Sequence, residues 1–423
     1  MNTYQQRYAY PTRYINDAID HAVSQIVVIP CFKETALIQT LNALHRCSPT
    51  QGMTEVIVVI NESESADSEA TAINRQCLAE AQKWAQKNPF SWLKFHFVYV
   101  NDLPRKHAGV GLARKIGMDE AAWRLEQINK PKAPIICFDA DSQCSENYLQ
   151  EIEDYFSRYP KTKGASIHFE HPLSGDFPKE WYEAIEIYEL HLRYYVNGLR
   201  YANFPFAYET IGSSMVVRAD IYQKQGGMNR RKAGEDFYFL HKIIPHGDFA
   251  DITGCMVIPS PRPSDRVPFG TGKAVGDFLA SGETQSMVSY NPAIFTILKA
   301  FIHQAADFYR KPYEEVIQQL DDDSVAFLEH LNFKEDLQKI LKNSPNANIY
   351  KQRFFQWFDG FRCLKYVHFL RDQRAYKNID LREGAHELAQ TFKMSPDTKA
   401  NLLHLFREWD KKSHYLPDLS SWE

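Results

Sequence analysis

The sequence predicts an α/β protein: a mostly parallel sheet flanked by helices, followed by an α-helical C-terminal region. Three observations predict it. Short apolar runs alternate with stretches of helical period through the first half of the chain. The runs are apolar throughout, as at Ile26-Val27-Val28-Ile29, which suits strands covered on both faces. From about Asn291 onward the patterns are almost all helical.

In chain order, residues 25–30, 55–60, 93–100 and 135–138 read as strands. Residues 36–46, 65–87, 110–128 and 145–158 read as the helices that come after them. Between 164 and 258 the pattern is mixed: strands at 164–169 and 214–218, a long aromatic-rich helix at 178–199, and a helix from 237 to 244. Residues 260–273, rich in Pro, Gly and Arg, read as a loop. The domains expected are an N-terminal arm (1–24), a catalytic domain (25–285) and a helical C-terminal domain (286–423). The aromatic stretch Phe354, Phe355, Trp357, Phe358 and Phe361 reads as helix core, with acceptor shaping or homodimer contacts as the alternatives.

The 423 residues are 44% hydrophobic and 24% charged with a net charge of −4, which excludes a broad basic surface for nucleic acid. Seven cysteines, an odd count without a CxxC pair, read as reduced thiols in a cytoplasmic protein. The first 14 residues are polar and tyrosine-rich, without the apolar core of a signal peptide. The most apolar later stretch, 292–309, is broken by Lys299, His303, Gln304 and Asp307 and reads as a packed amphipathic helix, not a transmembrane segment.

In open sheets of this kind ligands bind beyond the carboxyl ends of the strands. Polar and acidic groups gather there: Lys33 and Glu34 after the first strand, Asn61 and Glu62 after the second, Asp139 and Asp141 after the fourth. On an extended segment, Asp139 and Asp141 present their side chains to one side. Two hard oxygen donors suit Mn2+ or Mg2+ bridging carboxylates to phosphates; a turn capping the next helix is the structural alternative. Further on, Gly234-Glu235-Asp236 precedes a helical run. Carboxylates at a helix start are favoured by its dipole and cap helices widely, while one aimed at a cleft can take a proton from a hydroxyl. Arg230, Arg231 and Lys232 read mainly as solvated surface, with a phosphate contact as the alternative.

Together these pieces resemble the family 2 glycosyltransferases, which have the Rossmann-like GT-A fold. The resemblance runs from about 26 to about 273. It rests on Val27-Val-Ile-Pro-Cys-Phe-Lys-Glu34, Gly109-Val-Gly-Leu-Ala-Arg-Lys-Ile-Gly117, Phe138-Asp-Ala-Asp141, and Gly212-Ser-Ser-Met-Val-Val-Arg218 followed by Gly226-Gly227 and Gly234-Glu-Asp236, in that order. It implies a metal-dependent, inverting transfer of a sugar from a nucleotide-sugar donor to a glycan, lipid-linked or other hydroxyl acceptor; a lipid acceptor would draw the cytoplasmic protein to the periphery of a membrane. Pro30, Glu34, Asn61, Lys106, Arg114 and Asp139 would border the donor. Asn61 stands where the family usually carries aspartate. Asp139 and Asp141 would hold the metal, and Asp236, supported by Glu235, would be the general base. Apart from the resemblance, the loop 262–273, with its glycines and the cations Arg262, Arg266 and Lys273, reads either as a lid that closes over the diphosphate, Arg266 included, or as an ordinary exposed loop. His246 and Asp265 read mainly as surface polar residues, with a third metal ligand as the alternative.

Two rival enzymes fail at the first turn. A sugar nucleotidyltransferase wants a glycine-rich phosphate loop there and a dinucleotide oxidoreductase wants G-x-G-x-x-G, whereas the turn is Cys31-Phe32-Lys33-Glu34. A non-catalytic sugar- or nucleotide-binding scaffold with the same fold is the rival from another class.

Overall fold

The computed structural model describes residues 2–264, 266, 270–282, 287–394, 401–412 and 415–422. The chain divides into two compact units, Met1–Ile185 with Thr210–Gly282, and Glu186–Glu209 with Glu283–Glu423.

The first unit opens with a short helix, α1 (Thr3–Arg7), and then alternates β1 (Val23–Cys31), α2 (Leu37–His45), β2 (Met53–Ser63), α3 (Ser68–Lys87), β3 (Leu93–Leu103), α4 (Val110–Gln127) and β4 (Pro134–Cys137). A two-residue strand, β5 (Gln143–Cys144), α5 (Tyr148–Arg158) and β6 (Gly164–Phe169) come next, and then α6 (Lys179–Tyr201), whose residues from Glu186 on belong to the second unit. The first unit is completed by β7 (Met215–Arg218), α7 (Ala219–Lys224), α8 (Glu235–Ile243), β8 (Phe249–Ile258) and α9 (Thr271–Ser281). Among the described residues the strands form an eight-stranded sheet in the order β3-β2-β1-β4-β7-β6-β8-β5.

β1 to β4 are mutually parallel, β6 and β8 run the same way, and β7 is antiparallel to both β4 and β6. The α/β class, the mostly parallel sheet and the helical C-terminal region expected from the sequence are therefore what the structure shows, consistent with a GT-A architecture. The strands form because β-branched runs fit a pleated surface buried on both sides. Ile26, Val27, Val28 and Ile29 of β1, and Val56 to Ile60 of β2, are fully buried.

From β1 the chain winds outward through β2 and β3, then returns to place β4 on the other side of β1. That reversal leaves a crevice between the carboxyl ends of β1 and β4, where an open α/β sheet binds its ligand. Because β7 runs backwards, its first residue lies at the same edge.

The tyrosine-rich arm is tied to α4. The buried Tyr4 hydroxyl donates to Asp119 Oδ1 at 2.5 Å, the Tyr10 backbone N–H donates to Asp119 Oδ2 at 2.7 Å, and Tyr222 donates to the same carboxylate at 2.6 Å. Lys115 balances its charge at 3.0 Å. All seven cysteines are free and buried.

In the second unit, α10 (Ala293–Ala305) and the helices after it bury Phe354, Phe355, Trp357 and Phe358, so these rings are core. A buried charge cluster fixes the helix Leu402–Lys412: Glu189 accepts from Arg193 at 2.9 Å and Arg407 at 2.7 Å, and Asp410 from Arg193 at 2.5 Å and Arg200 at 3.2 Å. Buried charges persist only when paired in this way. Among the described residues no helix is long and apolar enough to cross a membrane.

The loop expected at 260–273 is shorter than the sequence suggests. Gly270 at φ 109 turns the chain straight into α9, which begins at Thr271, since a glycine can hold the backbone angle that starts the helix.

Candidate active site

The crevice is lined by the segments just after β1 and β4 and by the segment just before β7. Its centre is Arg114, in the second turn of α4 and only 2% exposed. Its guanidinium donates to Asp139 Oδ1 at 2.5 Å and to the Glu235 carboxylate. Two segments distant in sequence, the exit of β4 and the start of α8, are thus joined by one buried cation. Gly212 makes room for it, because a Cβ there would stand 2.5 Å from both terminal guanidinium nitrogens.

The loop leading into α8 is held by close approach. A Cβ at Gly111 would lie 2.3 Å from the Arg231 carbonyl oxygen and 3.0 Å from the Glu235 Cβ, and one at Gly109 would lie 3.1 Å from Lys232. The glycines at the start of α4 therefore serve backbone packing against the 229–234 loop. Gly234 adopts the left-handed conformation (φ 64) that turns the chain into α8, an angle glycine holds without strain. The Asn229 side chain donates to the Glu235 carbonyl at 2.8 Å.

Both acids at the start of α8 hold their protons more tightly than free carboxyls. Burial pushes the Glu235 carboxyl up to about 7, against the pull of Arg114 and with help from the Asp236 charge. Burial also raises Asp236, opposed by Arg114 and by the backbone N–H groups of Phe237 and Gly212. Asp236 is half-buried and accepts from the Phe237 N–H at 2.7 Å. The folded chain holds the Glu235 proton more tightly than the unfolded one, so the stability this group contributes is complete below about 4.5 and is lost as pH rises through about 7. Glu235→Gln removes the titration. The difference in Tm between variant and wild type should move in the variant's favour between about pH 5 and pH 8, and a constant difference would refute the assignment.

Asp139 and Asp141 do not point the same way. The segment is turned, with the Ser142 N–H donating to the Asp139 carbonyl at 3.1 Å, so the two carboxylates meet different partners. Asp139, with 37% of its side chain exposed, lies on Arg114. Asp141 accepts from Arg262 at 2.9 Å and from Arg266 at 3.4 Å. The same two arginines reach the fully buried Glu34 carboxylate, Arg266 at 2.9 Å. Arg266 also donates to the Phe32 carbonyl at 3.0 Å, and Glu34 accepts from the Ala36 N–H at 2.7 Å.

The structure therefore brings together Glu34, Arg114, Asp139, Asp141, Glu235, Asp236 and Arg266. Pro30 is buried within β1, and Asn61 is buried near the end of β2. Lys106 is exposed on the loop after β3, at the same edge. His246 is misplaced for a metal ligand. It precedes the start of β8, whose Phe249 pairs with Gly164 at the start of β6, so it sits at the opposite edge of the sheet. Asp265 lies outside the described residues. Sequence reasoning counts Gly212 only as part of a motif and Arg262 only as part of the loop 262–273; the contacts of both depend on tertiary closure, and no local pattern signals them.

The residues present fit a divalent ion. One nitrogen of Arg262 lies between Glu34 Oε2 and Asp141 Oδ2, so two carboxylate oxygens converge on a position that carries positive charge. Among the described residues no group of three or more His, Cys, Asp or Glu could hold a metal alone. Mg2+ and Mn2+ are commonly held by one or two carboxylates with phosphates and waters completing the shell.

No family model and no curated protein matches the chain. Similar solved structures include S. aureus TarS 1-349 in complex with UDP-GlcNAc, at 13% identity and TM-score 0.41, covering 84% of this chain and 93% of that one. S. aureus TarS is similar at 14% identity and TM-score 0.38, covering 78% of this chain and 55% of that one. GalNAc-T7 with UDP, GalNAc and Mn2+ is similar at 14% identity and TM-score 0.35, covering 56% and 44%. At such identities and scores the likeness assigns neither substrate nor residue role.

Proposed function

We propose that the protein is a metal-dependent, inverting glycosyltransferase that moves a sugar from a nucleotide-sugar donor to a hydroxyl acceptor. The observation that carries this reading is the buried Arg114, which links Asp139 at the strand edge to the acid pair of α8. Asp236, next to Glu235, is a carboxylate of raised proton affinity, and Asp141, two residues from Asp139, belongs to a second group of carboxylates and arginines suited to a diphosphate and its cation.

In this reading Asp236 accepts the proton of the acceptor hydroxyl as its oxygen attacks the anomeric carbon. The bond from that carbon to the diphosphate oxygen breaks on the opposite face, and the configuration inverts. A base whose pKa is lifted toward neutrality is better matched to a hydroxyl proton than an ordinary aspartate. Arg114 holds Glu235 and Asp139 in position. Of the expected pair Asp139 and Asp141, only Asp141 converges with Glu34, so Asp141 and Glu34 would hold Mn2+ or Mg2+, which when bound supplies charge neutralisation for the departing nucleoside diphosphate, while Asp139 stays with Arg114. Arg262 and Arg266 offer two forked donors to the same phosphates.

The test is a thermal shift with UDP, GDP and other nucleoside diphosphates, with and without Mn2+, on the wild type and Asp141→Ala. At saturating ligand, a matched nucleotide with metal should raise Tm by about 5 °C in the wild type and hardly at all in the variant. No shift for any nucleotide with metal would sink the donor-site reading and favour a non-catalytic scaffold.

A further inference from the structure

We propose that Arg262 stands in for the divalent ion in the free protein and passes to the donor diphosphate on binding, so that metal and nucleotide load together; this rests on the donor-site reading. Glu34 is 1% exposed and its Oε2 faces Asp141 Oδ2 across a single guanidinium nitrogen. Two converging carboxylates, one of them buried, are costly without a counter-charge, and Arg262 provides it. Arg266 reinforces the arrangement from the Phe32 carbonyl side.

A divalent ion at Asp141 and a guanidinium between Asp141 and Glu34 compete for the same oxygens and repel each other. A metal arriving alone must expel Arg262 from both carboxylates into water. A diphosphate changes that balance, because its oxygens offer the planar fork an equivalent anionic partner. Arg262 lies four residues beyond the end of β8, between Pro261 and Pro263. Those prolines restrict the backbone, so the side chain needs only to swing between neighbouring anions. By linkage, whatever nucleotide does for metal affinity, metal does equally for nucleotide affinity.

The experiment is Mn2+ titration by electron paramagnetic resonance, reading free aquo-Mn2+, on the wild type, Arg262→Gln and Arg262→Lys, each with and without the nucleoside diphosphate that shifts the wild type. Without nucleotide, Arg262→Gln should bind Mn2+ about tenfold or more tightly than the wild type, with Arg262→Lys between them. With nucleotide, the gain in Mn2+ affinity should be smaller in Arg262→Gln than in the wild type. Equal or weaker Mn2+ binding by Arg262→Gln alone, with the wild type still binding metal and nucleotide together, would overturn this proposal and leave the transferase reading standing. Absence of Mn2+ binding in all three proteins, even with every nucleotide, would overturn both.

Discussion

Asp236→Asn should lower nucleoside diphosphate release from the sugar donor about 10²- to 10⁴-fold, the usual contribution of a positioned base. Asparagine keeps an oxygen that can accept from the Phe237 and Gly212 N–H groups that contact the carboxylate, so the start of α8 should hold its shape. The affinity for nucleotide with metal should stay within about twofold, because in the proposed reading the charge lost serves the acceptor proton and not the diphosphate. In the wild type the acid limb of kcat/KM should lie above the ordinary aspartate range, since burial raises this carboxyl. Turnover that survives the substitution would move the base elsewhere. Loss of nucleotide binding with turnover would place Asp236 on the donor side.

Arg114→Met should be among the most destabilising substitutions in the first unit. It leaves Glu235 buried without a cation and removes the partner of Asp139. Breaking a buried pair by removing one member costs about 3–5 kcal/mol, or roughly 10 °C in Tm for a unit of this size. Arg114→Met combined with Glu235→Gln should recover part of that fall, because the stranded charge is then gone. Arg114→Lys should rescue poorly, since one ammonium cannot serve both carboxylates as the guanidinium fork does. A fall of only a degree or two in Arg114→Met would mean that Glu235 escapes by taking up a proton.

The layered fold was legible because its signals are local. Apolar β-branched runs marked β1, β2, β3 and β4 to within a few residues, and helical period marked α3 and α4 almost to their ends. β8 was harder to see. Its exposure alternates irregularly and Gly254 interrupts it, so neither strand signature is clean. The site was legible as a collection, since chain order alone placed Glu34, Asp139 and Asp141 beyond strand ends. Its wiring was not. That Asp139 turns to Arg114 and Asp141 to Arg262 depends on a turn at residues 140–141 and on a loop more than 100 residues away. The glycines at 109 and 111 enter the sequence reading only as part of a motif that carries the resemblance, with no contact assigned to them. Here the space they leave is filled by the chain's own backbone.

α4 is consequently a spacer of fixed length between the sheet and the chemistry. A Cβ at Gly117 would lie 2.5 Å from Val28 of β1, and six residues earlier Gly111 meets the loop that carries Glu235. One stiff rod is pressed against the floor of the crevice at one point and against its reactive wall at another. Thickening the rod at Gly117 would lift it off the floor and carry the wall with it, altering the reach from Glu235 and Asp236 to the strand ends without touching any of them. The width of the crevice is thus set by a gauge buried beneath it, and any redesign of that width would begin at that hidden contact.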